Sequence, residues 1–146
     1  MFTYKVYLAG EIHSNWREEI INGCKDLNVD FFTPEHDHAS SDDIGKDVLS
    51  DQGSAFFNDN VSAKINSIRN QTLIKNSDIV VVKFGEKYKQ WNAAFDAGYA
   101  TALGKKTLII HPEEFTHALK EVNSFASAVV RDESQVIEIL EHISRK

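Results

Sequence analysis

Hydrophobic and polar positions follow two rhythms along the chain. Five short runs rich in β-branched and aromatic residues read as strands: YKVYLA (4–9), VDFFT (29–33), DIVVVKF (78–84), KTLIIH (106–111) and ASAVV (126–130). The third and fourth are almost continuously apolar, as expected of strands covered on both faces in a parallel sheet. Stretches with helical spacing separate them. SNWREEIINGCKDL (14–27) offers Ser14 or Asn15 as an N-cap, with acids in the turns that follow. VSAKINSIRNQTLIKNS (61–77) repeats apolar residues at Ile65, Ile68 and Leu73 or Ile74. QWNAAFDAGYATALG (90–104) stops at Gly104 before two lysines, a C-terminal signature. EEFTHALKEV (113–122) and ESQVIEILEHISRK (133–146) complete the helical set.

Strands alternating with helices predict an α/β fold: a five-stranded parallel sheet with helices on both faces and right-handed crossovers, Rossmann- or flavodoxin-like. No internal repeat or linker divides the chain, so residues 1–146 read as a single domain. The stretch from Pro34 to Asn60 breaks the pattern. It is polar, acidic and weakly periodic, and residues 35–60 are expected to form a long polar insertion of the kind that is usually functional or disordered.

Doubly wound sheets bind ligands beyond the carboxyl ends of their strands, where the strand order switches. That directs attention to AGEIHSN (9–15), PEHDH (34–38), GEKYKQWNAAFDAG (85–98) and HPEEF (111–115). Gly10 either lets a ligand approach the backbone or makes a tight strand-to-helix turn. In the helix around Asp96, Trp91, Phe95, Gly98 and Ala102 share a stripe expected to face the sheet. Asn92, Asp96 and Tyr99 follow at its edge, which places Asp96 at the lip of the crevice. Gly98 sits in a helix interior, where glycine is worse than alanine by about 1 kcal/mol. Its expected role is to let the helix press against the first strand. A carboxylate in Asp96's position suits a nucleophile or an anion facing an oxocarbenium-like sugar, although from the residues alone an ordinary structural acid is the favoured reading.

His36 and His38 alternate, which on extended chain puts both on one side. No further ligand shows zinc spacing, so no metal is assigned. Glu11, His13, Glu35 and His111 stand at strand ends as pocket candidates. A histidine in such a place also reads as a neutral, hydrogen-bonded residue.

Charge narrows the partners. A formal net charge of −6 repels nucleic-acid polymers and anionic membranes, and no basic arm offsets it. A small anionic ligand at a helix N-terminus remains compatible. The only cysteine, Cys24, excludes an intramolecular disulfide and a cysteine-based zinc site. With no signal peptide or membrane span in the pattern, a reducing cytoplasm is the expected location.

VYLAG (6–10), IRNQTLIKNSDIVVV (68–82) and AAFDAGYATALGKKTLII (93–110) together resemble the nucleoside 2-deoxyribosyltransferase-like superfamily. VYLAGEIHSNWREEI (6–20) and FGEKYKQWN (84–92) resemble more closely its YtoQ-type branch, over nearly the whole chain. The resemblance implies an active site at the strand ends and a small-molecule nucleoside or nucleotide substrate. No cofactor is implied. A tyrosine and a glycine of the first strand shape the pocket, matched by Tyr7 and Gly10. A glutamate in E-x-G-x-A attacks the anomeric carbon, and Asp96 in DAGYA takes its place, with a side chain shorter by one C–C bond, about 1.5 Å. An aspartate that members carry in the middle helix is matched by Asn70, a poor proton shuttle. Arg69 beside it suits a phosphate or carboxylate, or a surface ion pair. Asn92 and Glu11 join the candidate pocket. Sites in the superfamily are often completed by a neighbouring subunit, so a homo-oligomer is implied, and Phe56, Phe57 and Trp91 suit either an interface or internal packing. The implied function is N-glycosidic bond cleavage or deoxyribosyl transfer, the alternative being a catalytically silent nucleotide-binding module.

Overall fold

A computed structural model describes residues 2–34, 38–87 and 90–145, with the side chains of His38 and Ala39 outside that description. Strands β1 (Tyr4–Gly10), β2 (Val29–Phe32), β3 (Ile79–Lys83), β4 (Lys106–Ile110) and β5 (Ala128–Val130) form one sheet in the order β2-β1-β3-β4-β5. Every neighbouring pair is parallel. Strand order reverses direction between β1 and β3, whose register sets Gly10 opposite Lys83. The crevice beyond that pair is the expected binding place of such a sheet.

Alternating side chains of each central strand enter two cores. Val6, Leu8, Val81 and Ile110 meet Trp16 and Ile20 of α1 (Trp16–Gly23) and Val136 and Leu140 of α6 (Glu133–Ser144). Tyr7, Ala9, Val80, Val82 and Ile109 meet Ile74 of α3 (Ala55–Lys75) and the alanines of α4 (Trp91–Ala102). Each fully buried Val, Leu or Ile contributes about 1.5–3 kcal/mol, so the central strands carry much of the stability. A short helix, α5 (Lys120–Phe125), lies beside α4 on the second face.

The expected polar insertion is instead helical. Helix α2 (His38–Leu49) and the first turns of α3 occupy most of it. Asn66 Nδ2 donates to the Ser41 carbonyl at 2.8 Å, and Ser62 Oγ donates to the Asp42 carbonyl at 2.6 Å while accepting from Gly45 N–H at 2.9 Å. These pairings descend one helix as they climb the other, so α2 and α3 form an antiparallel hairpin. Ser54 caps α3 by accepting from Phe57 N–H.

Candidate active site

The site starts where β1 ends. Gly10 has φ +106°, and a Cβ there would lie 2.2 Å from the Lys83 carbonyl oxygen. The close approach expected of a ligand is therefore made by β3, and Gly10 is required by the packing of the two strands. Glu11 follows. Its N–H donates to the Lys83 carbonyl at 2.9 Å, and its own carbonyl accepts from Trp16 Nε1 at 2.7 Å. Its side chain turns inward and is only 4% exposed. The carboxylate accepts from His13 N–H and from Ser14 Oγ, the latter at 2.6 Å. Burial raises the Glu11 carboxyl, but the Ser14 hydroxyl and His13 amide outweigh it, leaving the group below the usual carboxylate range. Gly85 makes room, since a Cβ there would stand 2.1 Å from Glu11 Cγ. Neither expected cap acts as one: Asn15 occupies the N-cap position without a side-chain bond, and the Ser14 hydroxyl serves Glu11.

Arg17, in the first turn of α1, is a residue the sequence reading passed over. Its Nε donates to the Leu8 carbonyl and its Nη2 to the Gly10 carbonyl, both at 3.1 Å, and its guanidinium lies 4.9 Å from the Trp16 ring centre. Burial lowers its proton affinity, while Tyr7, Glu11 and Asp96 act against that. The available signal was its position, because a cation in a helix's first turn opposes the macrodipole and needs another partner.

Asp96 is carried on α4, which is turned relative to expectation. Ala93, Ala97 and Ala100 face the sheet, whereas Trp91 and Phe95 are 74% and 64% exposed. A Cβ at Gly98 would meet nothing within 4 Å, so this glycine brings nothing close. The largest apolar side chains were read as the inner face, but only methyl-sized groups sit there. The alanine stripe lies on the opposite side of the helix from the expected one, about 180° round at about 100° per residue, and Asp96 flanks it half-buried, lining the cleft at its edge. Burial pushes its carboxyl up to about 6, resisted by Arg17. Tyr7, buried beneath, has its hydroxyl raised by burial and then by Asp96, with Arg17 and Arg69 opposing.

Between the α2–α3 hairpin and α4 lies a cleft of about 480 Å³. Asn70, Gln71, Asn92, Phe95, Asp96 and Tyr99 line it together with residues of the hairpin. The rings of Phe95 and Tyr99 are stacked, with centres 6.2 Å apart and planes within 4°. Asp96, Asn70, Gln71 and Asn92 make no side-chain hydrogen bond among the described residues, which leaves their polar atoms to a ligand. Asn70, Asn92 and Asp96 are thus brought together as expected. Gln71 and the hairpin wall were missed because the segment was read as a loop.

The other candidates disperse. Arg69 is exposed and donates from Nη1 to the Thr33 carbonyl at 3.0 Å, tying α3 to the end of β2. Glu11 and His13 line a separate cleft with Lys83, Lys87, His111 and Arg131. His111 is buried with both ring nitrogens engaged, by the Pro112 carbonyl at 2.7 Å and Asn123 at 3.1 Å. Glu35 and His36 lie outside the described residues, as does the side chain of His38. Among the described residues no three His, Cys, Asp or Glu side chains gather to hold a metal, and no helix is long and apolar enough to cross a membrane.

Several solved structures share this architecture. A 2-deoxyribosyltransferase from Bacillus psychrosaccharolyticus superposes with a TM-score of 0.59 at 19% identity, covering 91% of this chain and 90% of that one. A CMP N-glycosidase from Clostridium botulinum, BcmB, gives 0.56 at 14% identity, covering 94% and 98%. A conserved protein from Enterococcus faecalis V583 gives 0.64 at 16% identity, covering 97% and 99%. At these identities the likeness is one of fold. Sequence likeness is much higher to the Bacillus subtilis protein YtoQ, which is 45% identical over 140 residues, 94% of this chain and 95% of its own length. A family profile described as nucleoside 2-deoxyribosyltransferase YtoQ matches residues 7–144, and the chain belongs to that family.

Proposed function

We propose that the chain breaks or transfers the N-glycosidic bond of a nucleoside or nucleotide, with Asp96 as the nucleophile. The observation that carries this reading is the half-buried Asp96 carboxylate, without a hydrogen bond among the described residues, in a cleft whose lining includes the amides of Asn70, Gln71 and Asn92 and the stacked rings of Phe95 and Tyr99. Its family and the fold of its neighbours support the same chemistry. An Asp96 oxygen attacks C1′, and the C1′–N electron pair leaves with the base, which takes its proton from solvent. Water or a second base then attacks C1′, and the carboxylate is released unchanged. Tyr7 shapes the floor of the site, and Asn70, Gln71 and Asn92 hold the base or sugar hydroxyls through paired donors and acceptors. The Phe95–Tyr99 wall offers a flat face to a base.

Free-base release from a panel of deoxynucleosides and deoxynucleotides tests the reading, with and without an acceptor base. Release by wild type that Asp96→Ala abolishes is the expected result, and the acceptor response separates transfer from hydrolysis. Melting shifts without release from any substrate would mark a silent nucleotide-binding module instead. A homo-oligomer belongs to the same proposal. Trp91 and Phe95 make α4 apolar on its outer side as well, a pattern found in helices that are covered. Sedimentation should give a mass above that of one chain, and a monomer at all concentrations would end this part. The single, buried Cys24 suits a reducing cytoplasm.

A further inference from the structure

The charges around the Asp96 cleft are one-sided. Asp42, Asp59 and Asp96 line it, and no lysine, arginine or histidine does so among the described residues. Arg17, the cation that faces Asp96, donates to the Leu8 and Gly10 carbonyls, is shared with Glu11 and stands outside the lining. Arg69 is tied to the Thr33 carbonyl and is outside it too. The aromatic wall has the same preference. Phe95 and Tyr99 present parallel rings, and ring faces carry a negative potential that attracts cations. A net charge of −6 draws cations toward the whole molecule. The chemistry of departure agrees. A neutral base leaves with the C1′–N electron pair as an anion and needs a proton. Asn70, Gln71 and Asn92, which share the cleft with Asp96, are amides that neither give nor take one. Tyr7 is a poor source as well, because burial and then Asp96 hold the proton on its hydroxyl. A base that carries a formal positive charge leaves neutral and needs no proton.

We infer that the cleft selects N-glycosides whose base is cationic through a quaternised ring nitrogen, a pyridinium or an N7-alkylated purine. This rests on the proposed glycosidic reading of the site and names the charge of its substrate. A bond forms from an Asp96 oxygen to C1′ as the C1′–N bond breaks, and the electron pair cancels the positive charge on the ring nitrogen. Water then bonds to C1′, its proton passes to solvent, and Asp96 departs as the carboxylate. Before reaction the cationic ring lies against Phe95 and Tyr99, with Asp42, Asp59 and Asp96 balancing its charge. After reaction the neutral base has lost that attraction, which favours its release.

Two matched pairs of probes test this. Calorimetric binding compares the N-methylnicotinamide cation, which has no glycosidic bond, with its neutral dihydro form. Base release compares the deoxyribosides of the same two rings, each relative to its rate without enzyme. Wild type should bind the cation tighter by about tenfold or more at low salt, and the preference should shrink as salt rises. Phe95→Leu should lower the preference by about two- to fivefold, the worth of a cation–π contact at an exposed position. Asp42→Asn combined with Asp59→Asn, both on the exposed side of the hairpin, should lower it as well. Equal or weaker binding of the cation by wild type overturns the inference, with no variant needed. A preference unchanged in the folded variants overturns it too. Cation-selective binding without release of either base would sink the reaction and leave the selectivity standing. Release that is accelerated no more for the cationic deoxyriboside than for the neutral one would do the reverse, and neither binding nor release would remove both.

Discussion

Asp96 combines burial with a carboxylate function, and the two conflict. Folded, its carboxyl titrates at about 6, against about 4 for an unfolded carboxyl. Between those values the folded chain holds more proton than the unfolded one, so its contribution to stability falls as pH rises and is constant above about 6. Asp96→Asn should therefore raise the unfolding free energy by about 3 kcal/mol at pH 8 and change little at pH 4. Denaturant titration at the two values measures this. Activity runs the other way, because the ionised form is the nucleophile. Turnover should rise with pH through about 6. Arg17 is the cation facing Asp96, so Arg17→Met should move that acid limb to higher pH, with Arg17→Lys moving it less. An acid limb unchanged in a folded Arg17→Met would remove Arg17 from this role.

Gly98 and Gly10 show what sequence reasoning can see at single positions. Both read as glycines that a close approach requires; at Gly10 the approach exists but comes from an unexpected neighbour, and at Gly98 the reading fails. At Gly10 the neighbour is the backbone of β3, paired from more than seventy residues away. At Gly98 there is no neighbour, so Gly98→Ala should stabilise the helix by about 0.5–1 kcal/mol, readable as a higher melting temperature.

At the scale of elements, the five strands were legible because each is a short apolar run, buried on both faces in β1, β3 and β4. The helix α2 was not. Its sequence HASSDDIGKDVL is rich in serine, aspartate and glycine, which favour turns over helix interiors in isolation. What holds it is tertiary: the buried Ser62 hydroxyl bonds both Gly45 N–H and the Asp42 carbonyl. Ser62→Ala removes both of these bonds between the two helices, at about 0.5–1.5 kcal/mol each. Hydrogen exchange should then speed up across α2 while the strands stay protected, and ligand binding should weaken because the hairpin forms one wall of the cleft. Equal exchange in α2 and the strands would show that the hairpin does not open separately. The face of α4 was misread for a related reason. Apolar periodicity reports both what a helix buries in its own fold and what it shows to solvent, and here Trp91 and Phe95 belong to the second class.

For the whole molecule, the layered α/β architecture and the family were legible, the latter from motifs spread along most of the chain. The arrangement of the site was not, because it depends on how layers stack. Asn70, Asn92 and Asp96 converge only once α3 and α4 lie on the same face of the sheet, and Glu11 is diverted only once Gly85 is beneath it. The alanine stripe on α4 extends this to distance. Because Ala93, Ala97 and Ala100 are the fully buried residues of the helix facing the strands, the thickness of the sandwich on this side is set largely in methyl groups. Asp96 is rigidly attached to that spacing, so a side chain that touches no ligand can act as a shim under the reacting atom. Ala97→Val should lift α4 and lower kcat by about 100-fold, the scale of a displacement of about 1 Å, with an overpacking cost of about 1–3 kcal/mol in stability. Loss of stability with kcat intact would mean that the site tolerates a thicker layer. A fall in kcat in the folded variant would mark the gap between helix and sheet as a dimension of the reaction coordinate.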